Sequence, residues 1–321
     1  MSGIGIVHNP LDSGNRRHPG LRDHLARLLG DDGELLDAGD PEALAGAVER
    51  LRAADVDTVA VSGGDQTTRQ VLTALAPAWG GRRLPRLLLL GGGALDTLAA
   101  NHGLAGPPDR ILDEVLRRRR AGLPCPVTDR DLLRVEADGA APALGFLFGT
   151  GLVVTFQERW DAAPRPSALS ATLLLARAVA STLTGRGFAR QLARRQALRV
   201  VADGEEWPDA SYLALLAGTL PSVGLGFRAL ARAEEQPGSF QAVGVIGTLG
   251  AVARLLPRLH RGAPWRRRVA LDAVAREVRL EGDGVRWSLD GDRLGTARSL
   301  RLSTGPAVEV LGAARHALPA V

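Results

Sequence analysis

The run from Thr58 to Thr68 carries an apolar strand into Ser62-Gly63-Gly64 and then into Asp65-Gln66-Thr67-Thr68, where a helical pattern opens. Residues of these types at this spacing suit the holding of phosphate. Glycine lets backbone N–H groups approach an anion with no Cβ in the way, and the following helix offers its partly positive N-terminus. A carboxylate at Asp65 repels phosphate unless a cation or a transferable proton lies between them, so it points to Mg²⁺ or to general-base chemistry. An ordinary strand-to-helix turn with Asp65 as N-cap accounts for the same residues.

Gly63-Gly64-Asp65-Gln66-Thr67 also resembles the GGDGT signature of the diacylglycerol kinase catalytic-domain superfamily, which includes sphingosine kinases and bacterial lipid kinases and is fold-related to NAD kinases. Three further segments match in order. Ile6-Val7-His8-Asn9-Pro10 followed by Ser13-Gly14 is similar to the family's strand and NPxSG loop at the nucleotide. Leu88 to Leu90 with Gly91-Gly92-Gly93-Ala94-Leu95-Asp96-Thr97-Leu98-Ala99, ending at Gly103, resembles the second glycine loop, PxGTxNxxAxxLG. Ser288-Leu289-Asp290-Gly291-Asp292 resembles the DGE turn, whose acidic residue is the base for the acceptor hydroxyl.

The resemblance implies an ATP-dependent lipid kinase with Mg²⁺, acting on a lipid alcohol in a cleft between two domains. Asn9, Ser13, Gly14, Gly63, Gly64, Gln66, Thr67, Gly92 and Gly93 would surround the nucleotide. Asp65 and Asp292 would be catalytic, with Asp290 shaping the turn, and Asp65 would hold metal together with Glu234 and Glu235. Several positions depart from the pattern. Gln66 replaces the third glycine, Gln70 a Glu, Ala94 a Thr, Asp96 an Asn, and Val153 and Pro237 stand where acids are expected. A nucleotide- or lipid-binding homologue with weakened catalysis is the alternative. An NAD kinase is a third reading, weakened because no Asn-Glu pair follows the glycine loops.

Composition narrows the chemistry independently. The chain has 321 residues, long enough for two cores, and 45% apolar content with dispersed charge describes a globular protein. No lysine occurs, so all 40 basic residues are arginine, and neither a Walker-type lysine nor a Schiff base is available. The single Cys125 excludes an intrachain disulfide and fits a reducing cytoplasm. Met1-Ser2-Gly3 runs directly into the first strand with no leader pattern, and Ala168 to Leu183 is too short and too polar to span a bilayer. The expected location is the cytoplasm, including the inner membrane face.

The elements that position these residues change character near residue 127. Before it, β-type runs at Gly5 to His8, Thr58 to Ser62 and Leu87 to Leu90 alternate with helical patterns at Pro19 to Leu29, Pro41 to Ala53, Thr68 to Ala76 and Asp109 to Arg120. That alternation predicts a Rossmann-like parallel sheet covered by helices, over residues 1–126, with ligands at the carboxyl ends of the strands. After it, Asp-Gly pairs at 138, 203, 283 and 290 suit two-residue hairpins, so residues 127–304 are expected to form an antiparallel, lipid-acceptor domain, β-sandwich-like by the resemblance, with 305–321 returning to the first domain. Arg117 to Arg120 and Arg266 to Arg268 read as solvated faces or as attraction to anionic lipid, with Trp265 as an interfacial anchor rather than a core residue. Nucleic acid is not expected at a net charge of +5 without stacking aromatics. Homo-oligomerisation is left open.

Overall fold

A computed structural model of the chain describes residues 3–184, 188–208 and 211–312. The chain divides into two compact units, one of Met1–Arg130 with the chain from Pro306 onward, the other of Asp131–Gly305.

The first unit runs β1 (Ile4–His8), α1 (Ser13–Arg17), α2 (Leu21–Leu29), β2 (Gly33–Asp37), α3 (Pro41–Ala53), β3 (Thr58–Gly63), α4 (Asp65–Trp79), β4 (Arg86–Gly92), α5 (Thr97–Asn101) and α6 (Pro108–Arg120). β1 and β3 are buried along their whole length, as near-continuous apolar strands of a covered parallel sheet must be. The sheet order is β4–β3–β1–β2, all parallel, with Ile6 opposite Ala60 and Val59 opposite Leu87. β2 has no counterpart among the expected strands. It is a half-exposed edge, and Gly33-Glu34 hides its apolar signal. Local chemistry sets the helices: Asp40 caps α3 by accepting from Ala43 N–H at 2.8 Å, with Pro41 at the first helical position. Ile4, Ile6, Ala60 and Leu88 of the sheet pack against Leu25, Leu29, Leu112 and Leu116 of α2 and α6 in one core.

The arginine run that ends α6 is consumed internally. Arg117 pairs with Asp113 and Glu114, Arg118 with Glu114, Arg120 with Asp32, and Arg119 makes a two-pronged bond to Asp57 at 2.7 Å on each arm.

The chain continues through β5 (Val127–Ala137), β6 (Ala143–Gly145), β7 (Leu147–Gly151), α7 (Leu152–Asp161), α8 (Ala168–Thr184), α9 (Phe188–Leu192), β8 (Gln196–Ala197), β9 (Arg199–Ala202), β10 (Glu205–Glu206), β11 (Ser211–Tyr212), β12 (Ala214–Gly218), β13 (Phe240–Val245), α10 (Leu249–His260), β14 (Ala270–Ala275), β15 (Glu277–Leu289) and β16 (Asp292–Leu311). In the second unit β14–β13–β12–β7–β15–β16 are antiparallel neighbours, and β9 pairs with β15 as well. Phe148, Leu215, Phe240, Leu280, Trp287 and Leu300 lie in its core. The end of β16 belongs to the first unit. There Val310 and Leu311 lie parallel to Leu87 and Leu88 of β4, and Glu309 pairs with Arg83 at 2.7 Å and Arg86 at 3.0 Å. The rest of the stretch expected to return, 313–321, lies outside the described residues.

Two of the four Asp-Gly pairs form the expected two-residue hairpins, with both residues at positive φ: Asp203-Gly204 and Asp290-Gly291. Asp138-Gly139 instead opens a longer loop, and Asp283-Gly284 sits in a bulge within β15, between the pairs Glu281–Ser299 and Val285–Ala297. Three of these aspartates share a further device. Asp138 accepts from the N–H groups of Arg298 and Ser299, Asp203 from those of Arg276 and Glu277, and Asp290 from those of Phe146 and Leu147. Trp265 corrects the sequence reading. It is half-buried against Leu255, Leu259 and Val269, and its indole N–H donates to Ala229 C=O at 2.8 Å, so it is a packed residue and not an anchor.

Candidate functional site

Three segments leave the carboxyl ends of β1, β3 and β4 and meet in the first unit, where an open parallel sheet places ligands. After β1, Asn9 donates from Nδ2 to Thr67 Oγ1 at 2.8 Å, while its Oδ1 accepts from Leu11 N–H at 2.9 Å. Thr67 is buried in the first turn of α4 and donates its hydroxyl to Asp12 Oδ2 at 2.7 Å. The same Asp12 oxygen accepts from Gly64 N–H at 2.7 Å. On the second loop, Gly93 and Gly92 N–H donate to the two carboxylate oxygens of Asp96 at 2.9 and 3.3 Å. Backbone donors suited to a phosphate are thus turned toward the chain's own carboxylates.

The glycines are also needed for packing. A Cβ on Gly64 would lie 2.9 Å from Gly93 Cα, one on Gly93 2.7 Å from Gly64 Cα, and one on Gly14 2.5 Å from Gly92 C=O. The three segments therefore touch backbone to backbone. Asn15 fastens them: it is buried, and Nδ2 donates to the carbonyls of Asn9 and Ser62 at 2.8 Å each. Its Oδ1 is buried with no hydrogen-bond partner among the described residues, against Gly92. Ser13 opens α1, and Gln66 is exposed at the start of α4. His8 is buried with Nδ1 3.0 Å from Ser62 Oγ, and burial pushes its pKa down, favouring the neutral ring.

Asp65 is the first residue of α4, whose N-cap is Gly64, so the alternative reading of Asp65 as N-cap of its own helix does not hold. Its carboxylate reaches instead to the start of α5. It accepts from Thr97 N–H at 2.9 Å and Leu98 N–H at 3.1 Å, supplying the partners that a helix N-terminus lacks. Desolvation is the largest influence on it and raises its pKa to about 6, assisted by the nearby negative charge of Asp96. Asp96 is likewise raised, chiefly by burial, with Asp12 adding to the effect. Asp12 and Asn15 were not singled out from sequence. The signal was present in Asp12-Ser13-Gly14-Asn15, polar residues between a buried strand and a short helix, but nothing in the order of residues reveals their partners 47 to 55 positions away.

The remaining candidates belong to the second unit. Asp290 is buried and fixed by the amides of Phe146 and Leu147, as a turn-shaping residue should be. Asp292 is half-buried and begins β16 opposite Leu289. Glu234 and Glu235 lie exposed in the turn before β13, where Glu235 pairs with Arg232 at 2.9 Å. Val153 packs on Gly149 of β7, an apolar contact where the family pattern has an acid. Among the described residues no group of three or more His, Cys, Asp or Glu side chains gathers as a protein-held metal site needs. Asp65 is committed to two amides in the first unit, whereas Glu234 and Glu235 belong to the second.

Residues 4–123 match the family model of the diacylglycerol kinase catalytic domain. No curated protein sequence matches the chain. Among solved structures, a candidate diacylglycerol kinase from Bacillus anthracis str. Sterne superposes with a TM-score of 0.72 at 15% identity, over 97% of each chain. A diacylglycerol kinase from the same organism gives 0.64 at 13% identity, again over 97% of each chain. Yeast NADH kinase complexed with NADH gives 0.52 at 11% identity, covering 98% of this chain and 84% of that one. At these identities the likeness is one of fold, a parallel α/β unit joined to an antiparallel one. Residues 4–123 are thus similar to the diacylglycerol kinase catalytic domain, and three of the four family-like motifs fall within that segment.

Proposed function

We propose that the protein transfers the γ-phosphoryl group of ATP to the hydroxyl of a lipid alcohol. The observation that carries this reading is the meeting of Asn9–Gly14, Gly63–Thr67 and Gly91–Thr97 at the ends of adjacent parallel strands, within the segment of the family match. In this reading Asn9, Ser13, Gly14, Gly63, Gly64, Gln66, Thr67, Gly92 and Gly93 hold the nucleotide. The acceptor oxygen attacks phosphorus, its proton passes to the Asp292 carboxylate, and the bond to the β-phosphate oxygen breaks to leave ADP. Mg²⁺ bound with ATP would neutralise charge on the phosphates, whose oxygens with water supply most of its ligands in such sites. Asp65 serves as a positioning residue that ties the first glycine loop to α5. A reaction that joins ATP to a membrane lipid suits the cytoplasmic face of a membrane.

A second reading is favoured by one specific observation. Asp12 and Asp96 occupy the amides of Gly64, Gly92 and Gly93, as expected of a homologue that has given up tight phosphate binding. Labelled-phosphate transfer from Mg-ATP to a panel of lipid alcohols separates the two. A kinase labels at least one alcohol, and Asp292→Asn lowers turnover ~10²–10⁴-fold, the usual worth of a positioned base. No transfer to any alcohol, with nucleotide still bound, establishes the second reading. Transfer undiminished in Asp292→Asn removes that residue as the base.

A further inference from the structure

We infer that the α8–α10 face of the second unit docks on an anionic lipid bilayer through Leu169 and Leu173. The inference goes beyond the reaction to the place where the protein meets its acceptor, and only for that acceptor's location does it rest on the lipid reading.

The first observation is charge. The chain has 35 acidic residues, yet residues 162–202 and 236–271 contain none. These two acid-free stretches hold α8 and α10, which pack against each other, with α7 and α9 also packed on α8. Arg254, Arg258, Arg261 and Arg266 to Arg268 are exposed and make no ion pair among the described residues. The contrast with Arg117 to Arg120 is direct, since every arginine of that run has a carboxylate partner. Of the two arginine clusters in the sequence, this one alone has no carboxylate partner among the described residues.

The second observation is apolar exposure. Leu169 and Leu173 are 69% and 62% exposed on α8. Ala176 and Ala180 continue the same stripe at helical spacing, and both are exposed. Large aliphatic side chains in water on a helix packed against one that carries exposed arginines suit an element that lies in a membrane interface, with leucines among acyl chains and guanidinium groups on lipid phosphates. A single-stranded nucleic acid would call for exposed stacking aromatics. Of the aromatics here, Phe188 lies beneath Arg177 at 5.0 Å and Trp265 is half-buried against Leu255 and Leu259.

Sedimentation with vesicles, without nucleotide, tests the inference on the full chain. Wild type should sediment with vesicles of equal parts phosphatidylglycerol and phosphatidylcholine, less so as salt rises, and stay in solution with phosphatidylcholine alone. Leu169→Ser with Leu173→Ser should weaken binding at least about tenfold, since each exposed leucine gains by leaving water. Arg266→Gln, Arg267→Gln and Arg268→Gln together should weaken it on the order of a hundredfold and flatten the salt dependence. Arg117→Gln with Arg118→Gln should leave it unchanged. All these positions are surface ones, and melting curves matching wild type confirm folded variants. Equal binding to neutral vesicles, unaltered binding of the leucine pair variant, or binding to nucleic acid in place of vesicles overturns the inference. Docking without phosphate transfer upholds it and sinks the kinase alone; transfer to detergent-dispersed acceptor without docking does the reverse.

Discussion

The carboxylate of Asp65 is held by two amides and yet has its pKa raised to about 6, because desolvation outweighs those hydrogen bonds. The sign of its effect on stability follows. Between the ordinary value of 3.8 and about 6 the folded protein keeps a proton that the unfolded chain has released, so this residue's contribution falls as pH rises through that window. Asp65→Asn should flatten the slope of melting temperature against pH between about 4 and about 6. An unchanged slope would show that another group governs it. The residue type at position 65 was legible in the sequence, but its partners were not, because they lie 32 and 33 residues away on a helix of only five residues. Trp265 misled for the same reason: its acceptor, Ala229 C=O, is fixed by tertiary packing rather than by its arginine neighbours.

Among the elements, the three loops behave as one clasp. Gly64→Val, an obvious probe of phosphate binding, would drive a side chain toward the backbone of Gly93 and spring the clasp whatever it binds. Asp12→Ala is the better probe. It releases Gly64 N–H and Thr67 Oγ without adding bulk, and one charge-assisted bond of this kind is worth about 1–3 kcal/mol. ATP affinity measured by calorimetry should therefore rise roughly tenfold or more, while the ligand-free protein melts at a lower temperature. Affinity that falls would mean that Asp12 organises the site instead of competing for it. β1, β3, β4 and the longer helices α2, α3 and α4 were legible because covered strands read as apolar runs and such helices keep their own period, whereas the five-residue α1 read as loop. β2 was not, being a half-exposed edge, and two of the four Asp-Gly pairs took other shapes because cross-strand partners, not the pair itself, set the register there.

At the scale of the whole molecule, the first unit is assembled from two separated stretches of chain, and the short parallel pairing of Val310 and Leu311 with β4 is what the later stretch adds to its sheet. β4 then has neighbours on both sides, with Leu87 and Leu88 buried beneath them. Cutting the gene after Arg130 would look like isolating the family-matched segment, since that match ends at residue 123. It would in fact leave a buried, leucine-rich strand with a bare row of N–H and C=O groups, a template for pairing with other chains. The fragment 1–130 should therefore scatter light and grow with concentration, whereas the same fragment joined by a flexible linker to residues 306–312 should remain dispersed. A dispersed 1–130 fragment would show that the edge is protected by other means. The returning strand thus acts as a built-in guard against aggregation, and any dissection of this protein has to carry both ends of the chain to keep it.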